Sequence, residues 1–100
     1  MAAQRLSGKV AVITGSGRKK GLGEAIAKRL AADGAKIVLS DIGRSRDAAT
    51  AAAHVGEQSE MDQIAAEIRA AGGEVATCPC DVRVPAEIEA LADSALNAFG

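Results

Sequence analysis

Residues 10–23 read Val10-Ala-Val-Ile-Thr-Gly-Ser-Gly-Arg-Lys-Lys-Gly-Leu-Gly23, an order that spells strand, glycine loop and helix start. Val10 to Ile13 is a short, continuous apolar run rich in β-branched side chains, which suits a strand buried on both faces of a parallel sheet. Gly15, Gly17, Gly21 and Gly23 follow in quick succession. Glycine admits positive φ and, lacking a Cβ, lets a ligand approach the main chain closely. An amphipathic helix begins at Gly23, so its free N–H groups and the positive end of its dipole face whatever the loop holds. Such a place suits an anion, most naturally a pyrophosphate.

Spacing narrows the choice of glycine motif. A P-loop needs Gly-Lys followed by a hydroxyl residue, and no count from Gly15, Gly17 or Gly21 meets one. The G-x-G-x-x-G fingerprint fits Gly15 and Gly17 but then meets Lys20. What remains is Thr14-Gly15 followed, after five residues, by Gly21-Leu-Gly23.

With 48% hydrophobic residues, a net charge of -1 and 100 residues in all, the chain reads as a globular domain or part of one. The charge balance gives no reason to expect nucleic acid or membrane as a partner, and the basic trio Arg18-Lys19-Lys20 has no aromatic residue beside it. The N-terminus has no apolar targeting core, so a cytoplasmic location is the default. Cys78 and Cys80 would share one face of a strand without bridging geometry, as small buried hydrophobes. No metal set is expected.

Taken in order, strand and helix alternate three times. The first helix, Gly23 to Asp33, would place Leu22, Ile26 and Leu30 on one stripe beside Ala27 and Ala31, with Gly34 closing it. Ala35 to Ser40 is the second strand, and Asp41 follows at once. Gly43 to Gln58 shows no defensible periodicity and reads as an insertion carrying Arg44, Arg46 and a surface His54. Ser59-Glu-Met-Asp62 resembles a capping box, after which Met61, Ile64, Ala65, Ile68 and Ala71 recur at helical spacing up to Gly72-Gly73. The third strand spans Glu74 to Cys80 and contains Pro79, which confines it to an edge. Pro85 starts a third helix with Ile88, Leu91, Ala92, Ala95 and Phe99 on one face, behind Arg83 or Val84 as a poor N-cap. Right-handed crossovers then give the strand order 3-2-1, leaving the first strand at the other edge.

The loop, the opening Leu6-Ser-Gly-Lys-Val-Ala-Val-Ile-Thr-Gly15, Asp41 after the second strand and Asp81-Val82 after the third together resemble the short-chain dehydrogenase/reductase family. Its usual loop is Thr-Gly-x-x-x-Gly-x-Gly, two residues shorter than this one. The resemblance implies an α/β fold of Rossmann type, a doubly wound parallel sheet of which residues 1–100 form the first three βα units. It also implies NAD as cofactor, NADP less so, held by Gly15, Gly17, Arg18, Gly21, Leu22, Gly23, Asp41, Ile42, Asp81 and Val82. In this pattern Asp41 holds the adenosine ribose, and Asp81-Val82 contacts adenine. The implied activity is hydride transfer between nicotinamide and a small carbonyl or alcohol, in a homo-oligomer, dimer or tetramer. Other readings are the divergent enoyl reductase branch, whose Ser-Ile-Ala pattern is absent here, and a dinucleotide-binding regulator without chemistry. The family's catalytic Tyr and Lys pair lies beyond the cofactor half, and the chain contains no tyrosine, so no catalytic residue is assigned. The expectation is the first part of a longer protein, inactive by itself.

Overall fold

The computed structural model describes residues 5–42 and 58–100. Arg44, Arg46, His54 and the rest of the insertion up to residue 57 lie outside the described residues. The elements run β1 Val10–Ile13, α1 Leu22–Ala32, β2 Lys36–Leu39, α2 Gln58–Ala70, β3 Val75–Thr77 and α3 Pro85–Phe99. All strand pairs are parallel, with Val10 opposite Lys36 and Ile13 opposite Leu39, then Ile37 opposite Val75 and Leu39 opposite Thr77. The order is β1-β2-β3, which read from the far edge is the expected 3-2-1.

β2 carries the core because it is covered on both faces. Ile37 and Leu39 pack with Ala27 of α1 and Met61, Ile64, Ala65 and Ile68 of α2. Val38, between them, points to the other face and packs with Cys80, Leu91 and Ala95. Ile37, Val38 and Leu39 are all 0% exposed. Each such side chain contributes about 1.5–3 kcal/mol relative to an exposed one. The result is three layers, with α1 and α2 on one face of the sheet and α3 on the other.

Several local expectations are corrected. In α1 the packed stripe is Ala27, Leu30 and Ala31, whereas Leu22 is 78% and Ile26 41% exposed. Alanine at the contact lets the helix sit close to the sheet, and this rotates the larger side chains out to its flank. On α3, Leu91 and Ala95 are buried and Phe99 packs against them, but Ile88 and Ala92 are exposed. On α2 the same holds for Ala71, which is exposed in the turn after the helix. α2 starts at Gln58, so Ser59 lies within its first turn and is not its N-cap. β1 is not buried on both faces: Val10 and Val12 are 39% and 43% exposed on the α3 side.

β3 ends at Thr77, and Pro79 follows it. Ladder-like bonding nevertheless continues past the strand, since Cys78 N donates to Leu39 O (3.0 Å) and Cys80 N to Asp41 O (2.8 Å). Pro79 falls between these two donors, where a residue faces away from β2. Its missing N–H therefore breaks no bond. On the same outer edge the carbonyl of Val75 accepts from Arg69 Nη2 of α2 at 2.9 Å. At the opposite edge, Val10, Val12, Ala92 and Leu96 line a shallow apolar depression. Produced alone, the 100-residue chain is expected to self-associate through β1 and this surface. Sedimentation velocity should show oligomers that Val12→Asp shifts toward monomer; a monomeric parent chain with cooperative, reversible unfolding would refute the expectation.

Candidate functional site

The carboxyl ends of the three strands meet at one end of the sheet. β1 passes into a turn at Thr14-Gly15, where Gly15 takes φ +68°, a left-handed conformation that favours glycine. Ser16 then turns inward and is 0% exposed. Its N–H donates to Ser40 O (2.9 Å), its hydroxyl donates to Ile13 O (2.7 Å) and accepts from Ser40 N (3.0 Å). This buried serine laces the exits of β1 and β2 together. Nothing in its periodicity or motif context marked it out.

Asp41 continues β2 and closes the other side of the loop. Its Oδ2 accepts from Gly17 N at 3.0 Å and its Oδ1 from Ile42 N at 2.7 Å. A Cβ on Gly17 would lie 2.7 Å from the Asp41 Cβ, so only glycine permits this approach. An ionised carboxylate has about four acceptor positions. Among the described residues, two of these positions on Asp41 are taken.

Asp81 is 4% exposed. Its Oδ1 accepts from Arg83 N (2.9 Å) and Nε (3.1 Å), and its Oδ2 from Arg83 Nη2 (3.2 Å). The Asp81 N–H donates to Glu87 Oε1 at 2.9 Å, and Val84 N donates to the Asp81 carbonyl at 3.0 Å. This turn supplies what the sequence left open at the start of α3. Val84 is the N-cap with no side-chain capping bond, and Pro85 stands at the first helical position, where no N–H is required.

Thr14, Gly15, Asp41, Ile42, Asp81, Val82 and Arg83 line an open crevice of about 370 Å³, with Cys80 at its floor. Of the expected site residues, Gly15, Asp41, Ile42, Asp81 and Val82 are thus brought together. Gly17, Arg18, Gly21, Leu22 and Gly23 do not line this crevice and belong to the adjoining loop and first turn of α1. Burial pushes the Cys80 thiol up, in keeping with a small core residue. No described helix is long and apolar enough to cross a membrane.

By position in the loop Arg18, Lys19 and Lys20 could reach a phosphate or form a solvated basic turn, and the structure engages the Lys19 side chain and the Lys20 N–H with carboxylates. Lys20 sits at φ +63°, uncommon for a residue with a side chain, and its N–H donates to Glu24 Oε1 at 2.6 Å. Lys19 Nζ lies 3.2 Å from Glu24 Oε2, and Lys28 Nζ lies 2.7 Å from the same oxygen. Hydrogen bonding from Lys28, reinforced by the Lys20 N–H and Lys19, holds the Glu24 carboxyl down at about 2, although burial opposes it. Like Ser16, Glu24 carried no signal in the sequence beyond an acidic residue in a first helical turn.

A profile of the short chain dehydrogenase family matches residues 9–100. The chain belongs to this family. It is 41% identical over 96 residues to the 7alpha-hydroxysteroid dehydrogenase of Escherichia coli, covering 96% of this chain and 31% of that protein. A short chain dehydrogenase/reductase from Burkholderia phymatum, solved in complex with NAD, superposes with a TM-score of 0.76 at 38% identity, covering 96% of this chain and 28% of that one. A metagenomic short-chain oxidoreductase in complex with NADP gives 0.71 at 38% identity, covering 96% and 36%. The chain therefore spans about a third of the length of these relatives.

Two outcomes follow for this member of the family. A Cβ at Gly23 would fall 2.7 Å from Ser16 Cα and 2.8 Å from Gly15 O, both backbone atoms, whereas at Gly21 the nearest atom is Arg18 O at 3.1 Å. Gly23 thus serves the packing of loop on helix as well as any ligand. Gly23→Ala is expected to cost about 1–3 kcal/mol in denaturant unfolding of the intact protein, with Gly21→Ala costing less; the reverse order would show that the loop yields at Gly23.

The second concerns acid. Because Glu24 is held at about 2 against an ordinary 4.5, its contribution to stability is fully present above 4.5 and is lost as pH falls from there toward 2. Glu67, lowered by its hydrogen bonds to Lys19 and Lys28, acts in the same direction. Melting temperature followed through this window should drop more steeply in the parent protein than in Glu24→Gln. Parallel curves would refute the assignment.

Proposed function

We propose that this chain is the dinucleotide-binding part, the N-terminal portion of a single Rossmann domain, of an oxidoreductase that uses NAD in preference to NADP. The observation that carries the reading is the meeting of Gly15, Asp41, Ile42, Asp81 and Val82 around one crevice at the carboxyl ends of parallel strands, where open α/β sheets bind their ligands. The relatives solved with NAD and with NADP support the cofactor class. The residues present fit such a cofactor. The adenosine ribose would be held by the Asp41 carboxylate, and the adenine by Asp81 and Val82 with Ile42 beside it. The pyrophosphate would be held by Gly15, Gly17 and Arg18 of the loop and by Gly21, Leu22 and Gly23 at the start of α1, whose first N–H groups have no acceptor within the helix.

When bound, the cofactor supplies or accepts a hydride, and a small carbonyl or alcohol is the partner substrate. The part of the machinery assigned to this chain is binding and orientation. Asp41 is fixed from two sides, by Gly17 N and by Ile42 N, so it meets a ligand without first losing side-chain freedom. Asp81 is likewise held by Arg83. Assembly of the whole enzyme as a dimer or tetramer belongs to the same reading.

The preference for NAD follows from charge. A 2′-phosphate about 4 Å from the Asp41 carboxylate meets a repulsion of about 4 kcal/mol per charge pair at an effective dielectric near 20, before relaxation. Lys19, one of the basic residues that could offset it, is engaged by Glu24 and Glu67. In the intact protein, kcat/KM for NAD should exceed that for NADP, and Asp41→Ala should reduce the ratio by about tenfold or more, with direct binding of each dinucleotide following the same trend. A native preference for NADP, or an alanine variant of unchanged selectivity, would overturn this assignment.

A further inference from the structure

The glycine loop is two residues longer than the usual family pattern, and at Lys19 it is bonded to α2. Lys19 N donates to Glu60 Oε1 at 2.9 Å. The side chain of the same residue reaches Glu67 Oε2 at 2.7 Å, seven positions further along the same helix, and Glu24 Oε2 at 3.2 Å on α1. Lys28 bonds both of these carboxylates as well. Two ammonium and two carboxylate groups therefore alternate around a ring that joins the loop, α1 and α2. At its other end the loop is fastened to β2 through Gly17 N and Asp41 Oδ2.

We propose that Lys19 is a positioning residue: through Glu24, Glu60 and Glu67 it straps the loop to α1 and α2, so that the anion-receiving backbone is already in shape before a dinucleotide arrives. This rests on the dinucleotide reading given above. Exposed ion pairs taken singly contribute little. Here the pairs are joined in a network, and both the N–H and the side chain of one residue are engaged by the same helix, so the backbone itself is fixed. A loop ordered in advance loses less freedom on binding, and the difference appears as affinity. Together with Lys28, Lys19 also neutralises Glu24, whose carboxylate stands in the first turn of α1, where the dipole should favour an incoming anion.

The alternative is that Lys19 contacts phosphate directly, and the two roles separate in one set of variants. In the intact protein, titrated with NAD, Lys19→Met and Glu67→Gln should each weaken binding by about fivefold. The double variant should lose little more than either single one, and Lys19→Arg should restore most of the loss. If Lys19 is a phosphate ligand, Glu67→Gln releases it and leaves binding unchanged or tighter, which overturns the proposal; so does unchanged binding in both single variants. Hydrogen exchange at the amides of Gly17 to Gly21 in ligand-free protein gives a readout that needs no dinucleotide. It should quicken in Lys19→Met and in Glu67→Gln, and exchange equal to the parent in both overturns the strap. A parent protein that binds no dinucleotide, with exchange still quickened in the variants, would instead count against the cofactor reading and leave the strap standing.

Discussion

Parallel strands cannot be joined by a tight turn, so each must hand the chain to a crossing helix, and the peptide groups set free at every hand-over must find partners at the same end of the sheet. In this chain they find side chains. Ser16 and Asp41 each bond groups at the exits of both β1 and β2, and Asp81 with Glu87 serves the exit of β3. Carboxylates at these places accept N–H groups in charge-assisted bonds, stronger than bonds between neutral groups. Two of these carboxylates, Asp41 and Asp81, line the crevice. Closure of the fold and construction of the site are therefore one piece of chemistry.

The parts of this arrangement that were legible in the sequence are those governed by pattern. Continuous apolar runs located β1 and β2, the glycines located the loop, and the position of Asp41 and Asp81 just past apolar segments located the crevice. Parallel connection rules gave the strand order. What pattern could not settle was how near each helix approaches the sheet. Ala27 packs at 0% exposure while Leu22 stays at 78%, because the closest contact goes to the smallest side chain, and hydrophobic spacing weighs leucine above alanine.

Polar partners were the other blind spot. Ser16, Glu24, Glu60 and Glu67 are ordinary residues by type and spacing, and their importance lies in which distant N–H or ammonium each one meets. Lys19 shows how the same residue changes meaning: in sequence it sits in a basic trio within a glycine loop, and in space it meets Glu24 of α1 and Glu60 and Glu67 of α2. Gly23 shows a related ambiguity. Its lack of a Cβ suits a ligand, yet the atoms that would collide with one belong to Ser16 and Gly15.

The two edges of the sheet are chemically unlike. At the β3 edge one outward carbonyl is taken by Arg69 and the imide nitrogen of Pro79 offers no hydrogen. At the β1 edge, by contrast, side chains of valine stand half open beside α3. The sheet therefore has a polarity across its width, with one margin partly occupied and the other more receptive. Any addition, whether from elsewhere in the protein during folding or from a neighbouring molecule in error, is directed toward the more receptive side, so correct growth and misassembly compete for the same seam.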